Sequence, residues 1–199
     1  SGDASVSNTL VHETVERLRE QDPAIRIIAH DLAAQPLPHL ALETTGAIRG
    51  QEPDSPAAVG AKALSDALVK ELVEADTLVI GAPMYNFAIP STLKAWFDHV
   101  LRAGVTFRYT EAGPEGLMKG KRAILVLTRG GLYSEGPSQV FDSQEPHLRT
   151  MLGFMGITDV TVVRAEKLGF GPEAREAAIA AARSQIREEV AAGWSLEAA

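Results

Sequence analysis

Apolar and polar positions along the chain follow two alternating periods. Short apolar runs at residues 25–30, 77–80, 122–127 and 160–165 have strand length, and their near-continuous hydrophobicity predicts strands buried on both faces. Between them the period is that of a helix. Leu10, Val11, Thr14, Val15 and Leu18 share a face, on a helix that should end before Pro23. Residues 57–74 carry Val59, Ala63, Ala67, Leu68 and Leu72 at helical spacing, and Leu93, Trp96, Phe97, Val100 and Leu101 mark a third helix that stops near Gly104. A fourth is expected over 140–154, between Gly136-Pro137 and Gly156. An Ala-rich last helix, 172–192, opens on a proline in its first turn.

Strands alternating with helices predict an α/β fold: a three-layer, doubly wound parallel sheet with helices on both faces, in one domain over 1–199. Residues 31–60, with Pro36, Pro38, Pro53 and Pro56, read as a long surface connection. Residues 105–110 alternate, but Glu111 to Gly116 breaks the pattern, so this part reads as an irregular excursion. The small, polar segment 1–8 should itself follow a strand, as the other loops do. About ten residues, including a first, central strand, are therefore expected to be missing from the given chain.

In an open α/β sheet, ligands lie beyond the carboxyl ends of the strands. Three loops are expected there: the Ser-rich segment at 1–8, Pro83 to Phe87, and Thr128 to Gly131. Ser5 or Ser7 can cap the first helix, whose amino end suits an anion such as a phosphate monoester. Asn86 can donate and accept, matching the imide edge of a ring, and Gly130-Gly131 lets backbone N–H groups come close. Taken singly, these features are also a helix cap, a core-anchored loop and a tight turn. Taken together they fit flavin mononucleotide (FMN), with its phosphate, ribityl chain and flat ring.

Composition narrows the alternatives. Net charge is −7, which argues against a nucleic-acid footprint, and no apolar run is long enough for a membrane span. With no cysteine, thiolate catalysis and Cys-ligated metals are excluded; the five histidines form no ligand pair, so no metal is expected. A reducing cytoplasm fits. His12 and His99 read as surface or half-buried helix residues, and Trp194 as a packing anchor.

Over essentially its whole length the chain resembles the flavodoxin-like, FMN-dependent NADH:azoreductases, which also reduce quinones. The resemblance is carried by S-V-S-N at 5–8, A-P-M-Y-N-F at 82–87, R-A-G-V-T-F-R-Y-T at 102–110, G-P-E-G-L at 113–117, T-R-G-G at 128–131 and L-G-F-M-G-I at 152–157. It implies that Ser5, Val6 and Ser7 hold the FMN phosphate. Met84, Tyr85, Asn86 and Phe87 would line the ring, and Thr128, Arg129, Gly130 and Gly131 would meet its pyrimidine end. It also implies a homodimer whose partner subunit completes the site, with Phe107, Tyr109 and Met151 as pocket walls and Tyr133 near the ring. Thr128 stands where Ser is common, and Tyr133 where some members have His. The implied reaction is ping-pong: NADH or NADPH passes a hydride to flavin N5, then a quinone or azo acceptor takes two electrons. No protein side chain would be catalytic in its own right, since the chemistry sits on the cofactor. Two other readings stand beside this one: a flavodoxin-type electron carrier without NAD(P)H turnover, and a structural protein that kept the fold and lost the cofactor.

Overall fold

The computed structural model describes residues 5–193; Trp194 lies outside them. The main sheet has three parallel strands in the order β1 (Thr77–Pro83), β4 (Arg122–Thr128), β5 (Asp159–Ala165). Side chains alternate across β4, and this divides the core in two. Ala123, Leu125 and Leu127 join Leu78, Ile80 and Ala82 against helices α3 (Pro56–Glu74), α4 (Ser91–Val100) and α5 (Glu145–Met155). Ile124 and Val126 join Val163 and Ala165 against α1 (Val6–Gln21) and α6 (Pro172–Gly193). Helices on both faces of a parallel sheet are the three layers that the alternating pattern predicts.

Several boundaries differ from expectation. Residues 25–30 are extended but form no strand, because no strand lies beside them among the described residues. Apolar content suits a segment to a sheet, but ladder hydrogen bonds need a neighbour. The connection 31–60 contains a short helix, α2 (Leu42–Ile48), which buries Ala47 and Ile48. The excursion at 105–116 is a hairpin of β2 (Phe107–Thr110) and β3 (Gly113–Gly116); of the expected break only Glu111 and Ala112 form the turn, and the rest is strand, because it pairs with β2. The helix expected at 140–154 is split. A 3-10 turn covers Pro137–Phe141, and α5 begins at Glu145, where the Asp142 carboxylate accepts the N–H groups of Gln144 (2.9 Å) and Glu145 (3.1 Å). His99 is buried rather than half-exposed, with Nε2 bonded to the Pro38 carbonyl at 3.0 Å. Among the described residues no helix is long and apolar enough to cross a membrane, and no cluster of acidic or histidine side chains could hold a metal ion.

Candidate active site

The loop after β1 is a tight hairpin turn. Tyr85 and Ala88 exchange both backbone bonds (3.0 and 3.1 Å), and the two residues between them have positive φ, 48° for Asn86 and 72° for Phe87. Two central residues with positive φ define a primed turn, which Asn tolerates and a bulky aromatic resists. Strain of this kind, of order 1–3 kcal/mol per residue, persists where the surroundings over-determine it, and it concentrates at ligand sites.

The loop after β4 lies against it. Pro83 pairs with Thr128 across the sheet, and the Met84 N–H donates to the Thr128 carbonyl at 2.8 Å. A cavity of about 260 Å³ opens between the two loops, lined by Met84, Asn86, Phe87, Gly130, Gly131 and Tyr133. The N–H groups of Asn86, Phe87, Gly130 and Gly131 and the Asn86 amide have no hydrogen-bond partner among the described residues. The carbonyls of Arg129, Gly130 and Gly131 are instead taken by the N–H groups of Leu168, Gly169 and Lys167. The residues lining the cavity therefore carry free donors, which suits an acceptor-edged or anionic ligand.

Glycine matters here for a specific reason. A Cβ on Gly131 would sit 2.9–3.0 Å from the Tyr133 ring, so the absence of a side chain lets that ring lie over the loop. A Cβ on Gly130 would meet open space. The Tyr133 ring in turn meets Phe87 edge-on (5.9 Å, 82°), and Phe87 meets Phe141 (5.6 Å, 35°). Phe141 is an aromatic neighbour that sequence reading passed over, because the expected helix at 140–154 would have placed it elsewhere.

The amino end of α1 reaches the same rim. Ser5 is the N-cap, its Oγ accepts from the Asn8 N–H (3.4 Å), and Ser5 and Ser7 hydroxyls are 3.0 Å apart. Ser7 packs by Gly81, whose missing Cβ would lie 3.9 Å from the Ser7 Cβ and 2.8 Å from Val11. Gly81 is three strand residues before Met84, about 10 Å along β1. The segments 5–7, 84–87 and 128–131 thus share one edge of the molecule. The serines stand beside the cavity without lining it.

The other expected site residues are placed as follows. Thr128 is buried. The Tyr85 ring is exposed and does not line the cavity. Phe107 and Met151 are buried, the former against Phe154 (4.6 Å), and Tyr109 is 72% exposed on the hairpin; within one subunit none of the three lines the cavity. Arg129 faces inward beneath the cavity floor. Its guanidinium is fully buried, with Nε on Gln144 (2.8 Å), Nη2 on Asp142 (2.8 Å) and Nη1 on Glu166 (3.0 Å). Glu166 also accepts the N–H groups of Tyr133 (2.9 Å) and Ser134 (3.1 Å) and the Ser134 hydroxyl.

Burial raises the Glu166 pKa, but the hydrogen bonds from Ser134, Tyr133 and Arg129 outweigh it, so the carboxyl stays below its ordinary range. Glu145 is likewise held low: burial opposes ionisation, while bonds from Arg164 and Arg149 favour it. Carboxylates depressed in the folded state stabilise it above their unfolded value, about 4.3, and that stabilisation is lost as pH falls through the lower folded value. Thermal unfolding should therefore be flat from neutral pH down to about 5 and drop steeply below about 4. In a Glu166→Gln variant that acid drop should be shallower; parallel melting curves across pH would contradict this role.

A second cavity of similar volume lies between α2 and the start of α3, lined in part by Glu43, Glu52 and Asp54. It has no aromatic wall, and three carboxylates would repel a phosphate, so it does not suit the same ligand.

Comparison with known proteins agrees with this geometry. The chain belongs to the family described as having a flavodoxin-like fold, whose model matches residues 1–190. It is 53% identical over 182 residues to an FMN-dependent NADH:quinone oxidoreductase of Hyphomonas neptunium, covering 92% of this chain and 87% of that one. It is 50% identical to FMN-dependent NADH:quinone oxidoreductase 3 of Pseudomonas aeruginosa, covering 96% and 89%. Among solved structures, an azoreductase from Bacillus anthracis superposes with a TM-score of 0.87 at 29% identity, over 96% of this chain and 93% of that one. An FMN-dependent NADH-azoreductase from the same species, in complex with FMN, gives 0.81 at 25% identity, covering 95% and 91%.

Proposed function

We propose that the cavity between the β1 and β4 loops is the ring site of an FMN-dependent oxidoreductase that uses NADH or NADPH to reduce quinones and azo compounds in a ping-pong cycle. The observation that carries this reading is that Asn86, Phe87, Gly130 and Gly131, whose N–H groups have no partner among the described residues, together line one aromatic-walled slot. At about 260 Å³ the slot is below the roughly 300–1,000 Å³ of a drug-sized pocket, which suits the flat end of a ligand whose tail runs along the rim.

The residues divide the work by position. Ser5, Val6 and Ser7 offer two hydroxyls and the open first turn of α1, where N–H groups lack intrahelical acceptors, to a phosphate. The Asn86 amide meets the polar edge of the ring. The N–H groups of Gly130 and Gly131 would hold the pyrimidine end of the ring as donors to its acceptor atoms. Bound FMN would supply the two-electron exchange itself, and Phe87 and Tyr133 would confine both donor and acceptor to flat stacking geometry. NADH supply places this work in the cytoplasm.

The lip of the slot is apolar and open. Val140 is 82% exposed, and Phe141, Tyr85 and Phe87 are about half exposed. A second copy of the chain fits this lip and would bring Tyr109, backed by Phe107 (5.6 Å, 89°), over the slot. A homodimeric mass in light scattering supports this arrangement, and a monomer at micromolar concentration refutes it. For the cofactor, Asn86→Ala should weaken FMN binding by roughly 1–3 kcal/mol, read from flavin fluorescence quenching. An unchanged dissociation constant removes Asn86 from the ring edge. Failure of the unaltered chain to oxidise NADH with a quinone and FMN present leaves the electron-carrier reading instead.

A further inference from the structure

We infer that Glu166 is a positioning residue for this site: through Tyr133 and Ser134 it fixes the part of the aromatic wall that Tyr133 shares with Phe87, and so sets how large a flat acceptor enters. The inference rests on the flavin-site reading above and adds to it a determinant of acceptor size.

Two things define where Tyr133 lies. Gly131 gives it a floor, since a Cβ there would touch the ring. Glu166 holds its backbone, accepting the N–H groups of both Tyr133 and Ser134 on Oε1 and the Ser134 hydroxyl on Oε2. Glu166 follows β5 directly, and the next three residues are strapped to the 129–131 loop by the bonds from Lys167, Leu168 and Gly169 (2.8–3.1 Å). The carboxylate is therefore carried on the rigid sheet, and the loop is hung from it.

The other ring of that wall, Phe87, traces back to the same place. The Phe87 carbonyl accepts the Ser143 N–H at 3.0 Å, and the neighbours of Ser143, Asp142 and Gln144, both bind Arg129. Gln144 Nε2 also donates to the Ala82 carbonyl at 2.8 Å, at the end of β1. One buried guanidinium thus joins the support of Phe87, through Asp142 and Gln144, to the support of Tyr133, through Glu166. The placement of the two touching rings is set by this chain of hydrogen bonds, with charge-assisted links at Arg129, and not by the loop backbone alone. With both oxygens engaged and no place in the lining, Glu166 acts on the reaction only through Tyr133.

The test uses the full chain loaded with FMN, and the variants Glu166→Gln and Ser134→Ala. Glutamine keeps the volume and one acceptor and loses the charge; alanine at 134 removes one donor and leaves the buried charges alone. Amide hydrogen exchange in the peptide covering 131–136 should speed up by about tenfold in both variants, while 77–83 stays protected. The kcat/KM ratio between a one-ring benzoquinone and a three-ring anthraquinone sulfonate should shift by about tenfold, through KM, with kcat held within about twofold. Unchanged exchange, or faster exchange with an unchanged acceptor ratio, overturns the inference. If Glu166→Gln fails to fold, Ser134→Ala decides by the same two readouts. If the unaltered chain binds no FMN, the functional reading fails, and the exchange measurement still tests whether Glu166 holds the loop.

Discussion

Replacing Arg129 by methionine should cost about 3–5 kcal/mol of folding stability, among the largest losses expected from any single side chain here. The guanidinium is fully buried and is the shared partner of Asp142, Glu145 and Glu166, whose side chains are themselves 9–14% exposed. Methionine fills much of the volume and leaves Asp142 and Glu166 without their cation and the buried Gln144 oxygen without its donor, while Glu145 keeps Arg149 and Arg164. Desolvation is then no longer offset, and uncompensated buried charge is what makes breaking such a pair expensive. In a chain of this size each kcal/mol lowers Tm by about 2–4 °C, so a fall of about 10 °C or more is expected by calorimetry. The deficit should also depend on pH. Without the guanidinium Glu166 loses one of the groups that hold its pKa low, so protonation relieves the variant as pH falls, and the gap to the parent narrows toward about pH 4. Adding Asp142→Asn and Glu166→Gln should recover part of the loss. A deficit below about 1 kcal/mol, or one independent of pH, would show that the cluster is not the support described.

Arg129 also shows where reading the chain in one dimension stops. The T-R-G-G string marks a strand-end loop, and the loop is indeed at the cavity. What the string does not carry is the direction of the Arg side chain, because the carboxylates that draw it inward stand 13, 16 and 37 residues further along. Their convergence is a product of β4 and β5 pairing. An arginine after six buried strand residues was the available signal: a charge there needs partners from elsewhere.

The elements that were legible are those whose cause is local. β1, β4 and β5 are apolar because both faces are covered, and that leaves a continuous run. α1 and α3 show their period, and α1 its Ser cap, with Ser5 accepting from the third residue of the helix; the matching Ser55 cap of α3 comes from the structure. α2 escaped notice because seven residues with a glycine at Gly46 carry too few turns to show a period. The cradle was legible for a different reason. Asn86 and Gly131 are residue types that a positive φ or a close approach requires, and such requirements show at single positions. Which residues line the slot, and that Phe141 joins Phe87, depended on the Asp142 cap that ends one helical turn and starts another.

Gly116→Ala should be as damaging as the loss of Arg129, although it adds one methyl group. A Cβ at Gly116 would lie 2.1 Å from the Gly156 nitrogen and 2.3 Å from the Met155 carbonyl carbon. Both are backbone atoms, so no rotamer change can yield. Gly156 is the left-handed cap of α5, with φ 96°, and the adjoining chain is tied down by the bond from Met118 N–H to the Met155 carbonyl (2.8 Å). Either the β2–β3 hairpin lifts or the end of α5 moves, and overpacking of this kind costs 1–3 kcal/mol or, against fixed backbone, about 3 or more. Gly156→Ala gives an internal comparison. Its Cβ would be 3.0–3.2 Å from Gly116, tight but closer to tolerable, and its left-handed backbone costs about 1–2 kcal/mol on its own account. The expected order of melting temperatures is therefore parent, then Gly156→Ala, then Gly116→Ala. Because the hairpin carries Tyr109, the lifted form should also be cleaved by trypsin at Arg108, whose side chain is 58% exposed and anchored by Glu115 at 2.7 Å. On the homodimer proposed above, it should also dissociate at concentrations where the parent scatters as a dimer. A Gly116→Ala protein that melts within about 2 °C of the parent would mean that the crossing of β3 over the α5 cap is looser than a 2.1 Å approach allows.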